Sequence, residues 1–214
     1  MDNVKDNLLR CLDDEIPLIS VTHKPMNFGT NICVGDIGRS HLNIYRQILI
    51  GAKAATTPYV ALCEDDIFYT PGYFRCYRPS SMEVFAYNYN KWGIYSWTTP
   101  IYSYLGNLVV NQLISPRQYL IDAMEERFAK WTDESKLNLS WWKDPGRERK
   151  ELGVTFRKTE RFDTPEPSIV FSHEDAFGFL NHGKNKAHGA LRKDYLEPWG
   201  HAKDMMNMYK RRPA

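Results

Sequence analysis

Two hundred and fourteen residues, 43% of them hydrophobic and 25% charged, make one domain with a single core and exclude the disordered and fibrous classes. The formal charge of +2 and the mean hydropathy of -0.53 are those of an ordinary globular chain. No run approaches the roughly eighteen apolar residues of a membrane span, and MDNVKDNLLRCLDDEIP lacks the basic and then apolar regions of a signal peptide, so a cytoplasmic protein with no membrane span is expected.

The acidic lead from Asp2 to Glu15 predicts a helix, and the β-branched run Ile16-Pro-Leu-Ile-Ser-Val-Thr22 predicts a first buried strand that ends at His23-Lys24-Pro25. Asn27 to Ser40, with Gly29, Gly35 and Gly38, reads as loop, after which Leu42, Tyr45, Ile48, Leu49 and Ala52 recur at helical spacing. Thr56-Thr-Pro58 stops that helix, and Tyr59-Val-Ala-Leu-Cys63 reads as a second buried strand running straight into Glu64-Asp65-Asp66. A strand, helix and strand of these lengths predict a right-handed crossover in a parallel sheet. His23-Lys24 and the three carboxylates then share the edge at which open α/β sheets bind ligands.

Farther along, Val84 to Tyr89 predicts a strand with alternating aromatics, and the tract that follows to Tyr104 has no clear period. Ser115-Pro116 starts an amphipathic helix to Trp131, with Tyr119, Leu120, Ala123, Met124 and Phe128 on its apolar face. Lys136 to Glu166 is weakly patterned, Pro167-Ser-Ile-Val-Phe171 predicts a third strand, and the tail is helical from Pro198. Cys11, Cys33, Cys63 and Cys76 share no CxxC spacing and predict reduced, mostly buried thiols.

Three adjacent carboxylates at the end of a buried strand lose solvation and repel one another, so they need a cation or strong hydrogen-bond donors. Oxygen donors suit Mg2+ or Mn2+, which keep positions open for substrate phosphates; a solvated acidic turn is the plain alternative. Gly35-Asp-Ile-Gly-Arg39-Ser40 precedes a helix, where glycines and Arg39 can approach a diphosphate closely, although a turn with an N-cap accounts for it almost as well. Phe85, Tyr87, Tyr89, Trp92, Tyr95, Trp97, Tyr102 and Tyr104 are enough to fill a core and still line a cleft that stacks on a sugar or a base, and Trp141-Trp142 could extend it. Residues 184–214 carry eight basic groups against three acidic, and residues 143–161 seven against four, so the near-neutral total hides two basic stretches suited to phosphates.

Val60-Ala-Leu-Cys-Glu-Asp-Asp-Ile67, with Tyr69 and Pro71-Gly-Tyr-Phe74 behind it, resembles the metal-binding DXD-type strand end of GT-A glycosyltransferases. The opening Pro17-Leu-Ile-Ser-Val-Thr-His-Lys-Pro25, the loop Asn31 to Ser40, Phe85-Ala-Tyr-Asn-Tyr-Asn-Lys-Trp92, Pro167 to His173 and Glu197-Pro-Trp-Gly200 are similar to small phage-type, family 2-like members that use nucleotide sugars. The similarity spans most of residues 16–200. It implies one α/β domain of GT-A (Rossmann-like) fold, with a mostly parallel central sheet flanked by helices. A nucleotide-sugar and metal half at 16–75, an acceptor half at 80–200 and a basic C-terminal tail at 201–214 divide it.

The same resemblance implies a nucleotide-sugar donor, with a UDP-sugar favoured, and a divalent metal, Mn2+ or Mg2+, on its diphosphate. Asp66 is then the first metal ligand, with Glu64 and Asp65 on ribose or water-mediated contacts, and Thr22, His23 and Lys24 seat the nucleoside. His173 falls where the family adds a late metal ligand; His182 is its rival, because the family shows His followed by Gly where this chain has His173-Glu174. An inverting enzyme needs a base beside the acceptor hydroxyl, for which Glu174 and Asp175 are nearest by position, while a retaining enzyme needs none. Tyr87, Asn88 and Trp92 are the expected acceptor contacts. The phage-like resemblance points to a 5-hydroxymethylpyrimidine in double-stranded DNA as acceptor, against a saccharide or lipid; a metal-dependent nuclease and a DNA-binding accessory protein are the rival classes.

Overall fold

The computed structural model describes residues 2–38, 40–131, 143–173 and 191–210. Arg39, Trp141, Trp142, Glu174, Asp175 and His182 lie outside the described residues. Val4, Leu8, Cys11 and Leu12 form one buried stripe and fold the lead into α1 (Asp2–Leu12). β1 (Ile19–Thr22) pairs in parallel with β2 (Thr30–Cys33), a strand inside the span that reads as loop because Thr-Asn-Ile-Cys shows no alternation. Gly29 turns the chain between them at φ +59, where a Cβ would sit 2.4 Å from the Leu18 carbonyl oxygen. Ser40 caps α2 (His41–Ala54) by accepting from the Asn43 N–H at 3.1 Å.

β3 (Tyr59–Ala61), β4 (Ile67–Phe68), the one-turn α3 (Pro71–Arg75), β5 (Phe85–Asn88), β6 (Lys91–Tyr95), β7 (Tyr102–Tyr104) and β8 (Leu113–Pro116) follow. Ser115-Pro116 therefore closes a strand, and α4 (Arg117–Lys130) begins behind Pro116 with no side-chain cap. The rest comprises β9 (Thr159–Phe162), β10 (Ser168–Ser172), β11 (Arg192–Lys193), β12 (Tyr195–Leu196), β13 (Gly200–His201) and α5 (Ala202–Lys210).

The architecture is α/β, with several mixed sheets flanked by helices. One sheet has the order β3-β8-β5-β9 and another β11-β7-β6-β10-β4; β1-β2 and β12-β13 are separate pairs. The β1-β2, β5-β9 and β6-β10 ladders are parallel and the others antiparallel, so the pairing is more mixed than the mostly parallel sheet expected. In one sheet β8 inserts antiparallel between β3 and β5, and in the other β4 pairs antiparallel with β10 and β7 with both β6 and β11. Among the described residues β1 has its ladder with β2 rather than with β3.

The α2-α4 pair covers β5 and β8 through Leu42, Tyr45, Leu120, Met124, Phe85 and Leu113. A second core joins β4, β6 and β10 to α5 through Phe68, Trp92, Phe171, Met205 and Met206, and a third seats α1 on Tyr69 and Tyr73. The four cysteines are free, but only Cys11 is buried, which corrects the expectation of mostly buried thiols. No helix among the described residues is long and apolar enough to cross a membrane.

Phe171 has 0% exposure and stacks on Tyr209 at 4.2 Å. Phe171→Ala is expected to cost about 3–5 kcal/mol in urea unfolding. The same change at Phe156, 70% exposed, should stay within about 0.5 kcal/mol.

Candidate functional site

The acidic turn is the joint between the two larger sheets. After β3 the Leu62 N–H still bonds the Leu113 carbonyl at 2.9 Å, and the chain then crosses through Glu64-Asp65-Asp66 into β4. On the far side the Phe171 N–H donates to the Asp66 carbonyl at 2.8 Å, extending the antiparallel β4-β10 ladder. That bond brings the end of β10, and with it His173, to the edge that carries the acidic turn. The His173 ring lies 6.0 Å from the ring of Tyr209 on α5.

Three buried groups shape the turn from below. The Glu64 N–H donates to the Tyr69 hydroxyl at 3.1 Å, that hydroxyl donates to the Asn111 carbonyl at 2.9 Å, and Asn111 Nδ2 donates to Glu64 Oε2 at 2.8 Å. The Tyr73 hydroxyl lies 3.0 Å from the Leu62 carbonyl and 3.1 Å from that of Leu113. The Glu64 carboxylate is consequently fixed, whereas Asp65 is exposed and Asp66 half-buried.

Glu64 is pushed up to about 7, chiefly by burial and then by the negative charges of Asp144 and Asp65; the Asn111 hydrogen bond and the Lys91 ammonium act against the rise. Asp144 is raised as well, again by burial, with Tyr45, Arg147, Arg127 and Lys91 opposing it. Lys91 is 1% exposed and donates through Nζ to the Asn107 carbonyl at 2.6 Å. The Tyr45 hydroxyl donates to Asp144 Oδ1 at 2.6 Å. Glu64, hydrogen-bonded to Asn111, thus shares an electrostatic neighbourhood with Lys91 and Asp144, an ammonium among carboxylates.

The structure assembles some of the expected residues and redirects others. Thr22 and His23 end β1, where the Thr22 hydroxyl bonds the Lys24 carbonyl at 2.6 Å and His23 Nε2 lies 3.0 Å from Gln47 Nε2 on α2; Lys24 is exposed. α2 also carries Tyr45, so one helix touches both the end of β1 and Asp144. Tyr87, Asn88 and Trp92, the expected acceptor contacts, are all buried. The Tyr87 hydroxyl donates to the Pro145 carbonyl at 2.7 Å, and Asn88 Nδ2 donates to Gln112 Oε1 at 2.8 Å. Of the aromatic tract, Tyr89, Trp97 and Tyr104 remain half-buried.

Sequence reasoning missed Lys91, Asn111 and Asp144. Asp144-Pro-Gly146 is a turn signal that presents a carboxylate, but only the fold brings its charge to bear on Glu64. Among the described residues no three His, Cys, Asp or Glu side chains converge into a preformed metal-holding group. No family model, curated protein or solved structure matches this chain.

The raised Glu64 has a stability consequence. Its folded form binds its proton more tightly than the unfolded carboxyl, so stability contributed by the protonated form falls as pH rises from near 4.5 through about 7. Without added divalent cation, Glu64→Gln is expected to melt above the wild type at pH 8, and the gap should close by pH 4. A Tm difference that does not widen with pH would show that Glu64 titrates as an ordinary solvated carboxylate.

Proposed function

We propose that this chain is a metal-dependent glycosyltransferase of GT-A-like fold that moves a sugar from a nucleotide-sugar donor to an acceptor hydroxyl. The reading rests on one observation above all. The Phe171–Asp66 backbone bond unites a strand-terminal acidic turn with the His173 end of β10, which are the two places where the resemblance seats a divalent ion. α2, which reaches both His23 and Asp144, is consistent with it.

Asp66 and His173 would hold Mn2+ or Mg2+, with donor phosphates and water completing the shell. When bound, the ion neutralises the charge that develops on the departing nucleoside diphosphate. The chain's own residues do the positioning. Thr22, His23 and Lys24 line the nucleoside end, Asn111 holds the Glu64 carboxylate in one orientation, and Lys91 offsets the carboxylates around it. The acceptor proposed is a 5-hydroxymethylpyrimidine in DNA, in keeping with the basic stretches late in the chain.

A thermal-shift panel of UDP, GDP, CDP and their sugars should give its largest Tm rise with one donor plus Mn2+. Incubated with that donor, Mn2+ and hydroxymethylcytosine DNA, the protein should yield nucleosides heavier by one sugar after digestion. Asp66→Ala is expected to lower transfer by about a hundredfold or more while the fold survives. Undiminished turnover would remove Asp66 from the mechanism, and strand cleavage with Mg2+ but no donor binding would replace transfer with nuclease chemistry.

A further inference from the structure

Phe156 is 70% exposed, more than any other large hydrophobic side chain among the described residues. The segment that carries it is nevertheless held firmly. Leu152 is 1% exposed in the α2-α4 core, Val154 packs against the same cluster, and Trp131 Nε1 donates to the Leu152 carbonyl at 2.9 Å. Glu126 on α4 then clamps both neighbours of Phe156. Its Oε1 accepts from the Thr155 N–H at 2.8 Å and from the Thr155 hydroxyl at 2.9 Å, and its Oε2 accepts from Arg157 Nη2 at 3.1 Å.

Leu152, Val154 and Phe156 are alternate residues, and the first two turn inward. At the third place the alternation is reversed. Arg157, with a side chain 14% exposed, lies over the Tyr119 ring at 4.9 Å, while the phenyl ring of Phe156 stays in water. A ring left exposed contributes little to the fold, because burial is what makes an apolar side chain stabilising. Held out on a clamped segment, it is instead a stacking platform that needs little further ordering when a ligand arrives.

The charge beside the ring is predominantly positive. Residues 149–158 carry Arg149, Lys150, Arg157 and Lys158 against the single carboxylate of Glu151, which Arg149 engages at 3.2 Å. Lys150 and Lys158 are exposed, and Lys130 Nζ adds a further ammonium 4.0 Å from the position of a Cβ on Gly153. A flat ring bordered by lysines matches a base bordered by phosphates. An anionic bilayer calls for a contiguous apolar patch, whereas exposed Gly153 and Thr155 and the lysines leave Phe156 as a single ring.

We propose that Phe156, with Lys150 and Lys158, is a docking surface for a single strand of DNA: one base stacks on the ring and the flanking phosphates meet the lysines. The proposal deepens the DNA-acceptor reading and rests on it for the choice of DNA, while the binding itself needs neither donor nor metal. Stacking on an exposed ring tolerates any base, so the surface grips the strand without reading its sequence.

Binding of a fluorescent oligodeoxythymidine strand to the full chain, without donor or metal, tests it. Phe156→Ala should weaken Kd by about tenfold at unchanged Tm, and Phe156→Trp should keep the wild-type affinity. Lys150→Ala and Lys158→Ala should each weaken binding and flatten the slope of log Kd against log salt by about 0.7. Equal affinity of the wild type and Phe156→Ala overturns this inference alone and leaves transfer to DNA standing. Absence of wild-type binding to both the single strand and duplex DNA defeats the DNA-acceptor reading and this inference with it. Phe156-dependent binding to phosphatidylserine vesicles, with none to DNA, overturns it in favour of a membrane surface.

Discussion

The antiparallel pairing of β4 with β10 is the constraint on which the site depends. β4 has only Ile67 and Phe68, both buried, and its ladder is lengthened by the Phe171–Asp66 bond at 2.8 Å. Together with the Leu62–Leu113 bond at 2.9 Å, it pins both ends of a turn that would otherwise relieve its charge repulsion by opening into solvent. Two sheets therefore hold the carboxylates where neither sheet alone would. Burial in the anchored turn is the main reason that the Glu64 carboxyl is pushed up.

Compensation for the crowded charge comes from inside the molecule. Lys91 starts β6 and is buried to 1%, an expensive position for an ammonium unless carboxylates lie near it. Its influence on both Glu64 and Asp144 indicates that it serves the two carboxylates jointly. Arg127 has the corresponding role deeper in the molecule, joining α4 to Lys143 and Glu148 and lying 5.4 Å from the Tyr45 ring. Asp144 and Arg127 thus meet the α2-α4 core at Tyr45.

Long periodic segments and strand ends were legible in the sequence. Leu42 to Ala52 and Tyr119 to Phe128 gave their helices because one apolar face recurs in each, and Tyr59 to Cys63 gave the strand that delivers the carboxylates. β6 and β7 were not legible because the tract around them is buried on both faces, which erases alternation. β8 hid before a helix start, and with it went the mixed topology of its sheet. Tyr87, Asn88 and Trp92 show the matching limit for function: an aromatic or amide beside a site has the same letters whether it faces the cleft or the core. Asp144 shows the converse, a turn residue whose importance arises only from partners distant in the chain.

Glu64, Lys91, Asn111 and Asp144 come from four separate stretches of the chain, with Asp144 bonded to a tyrosine 99 positions earlier. Closing loops of that length is entropically unfavourable and yields nothing until the final contacts form. No fragment of the chain can hold a partial version of the site, because each member borrows its support from a segment folded elsewhere. The arrangement is accordingly a property of the finished fold.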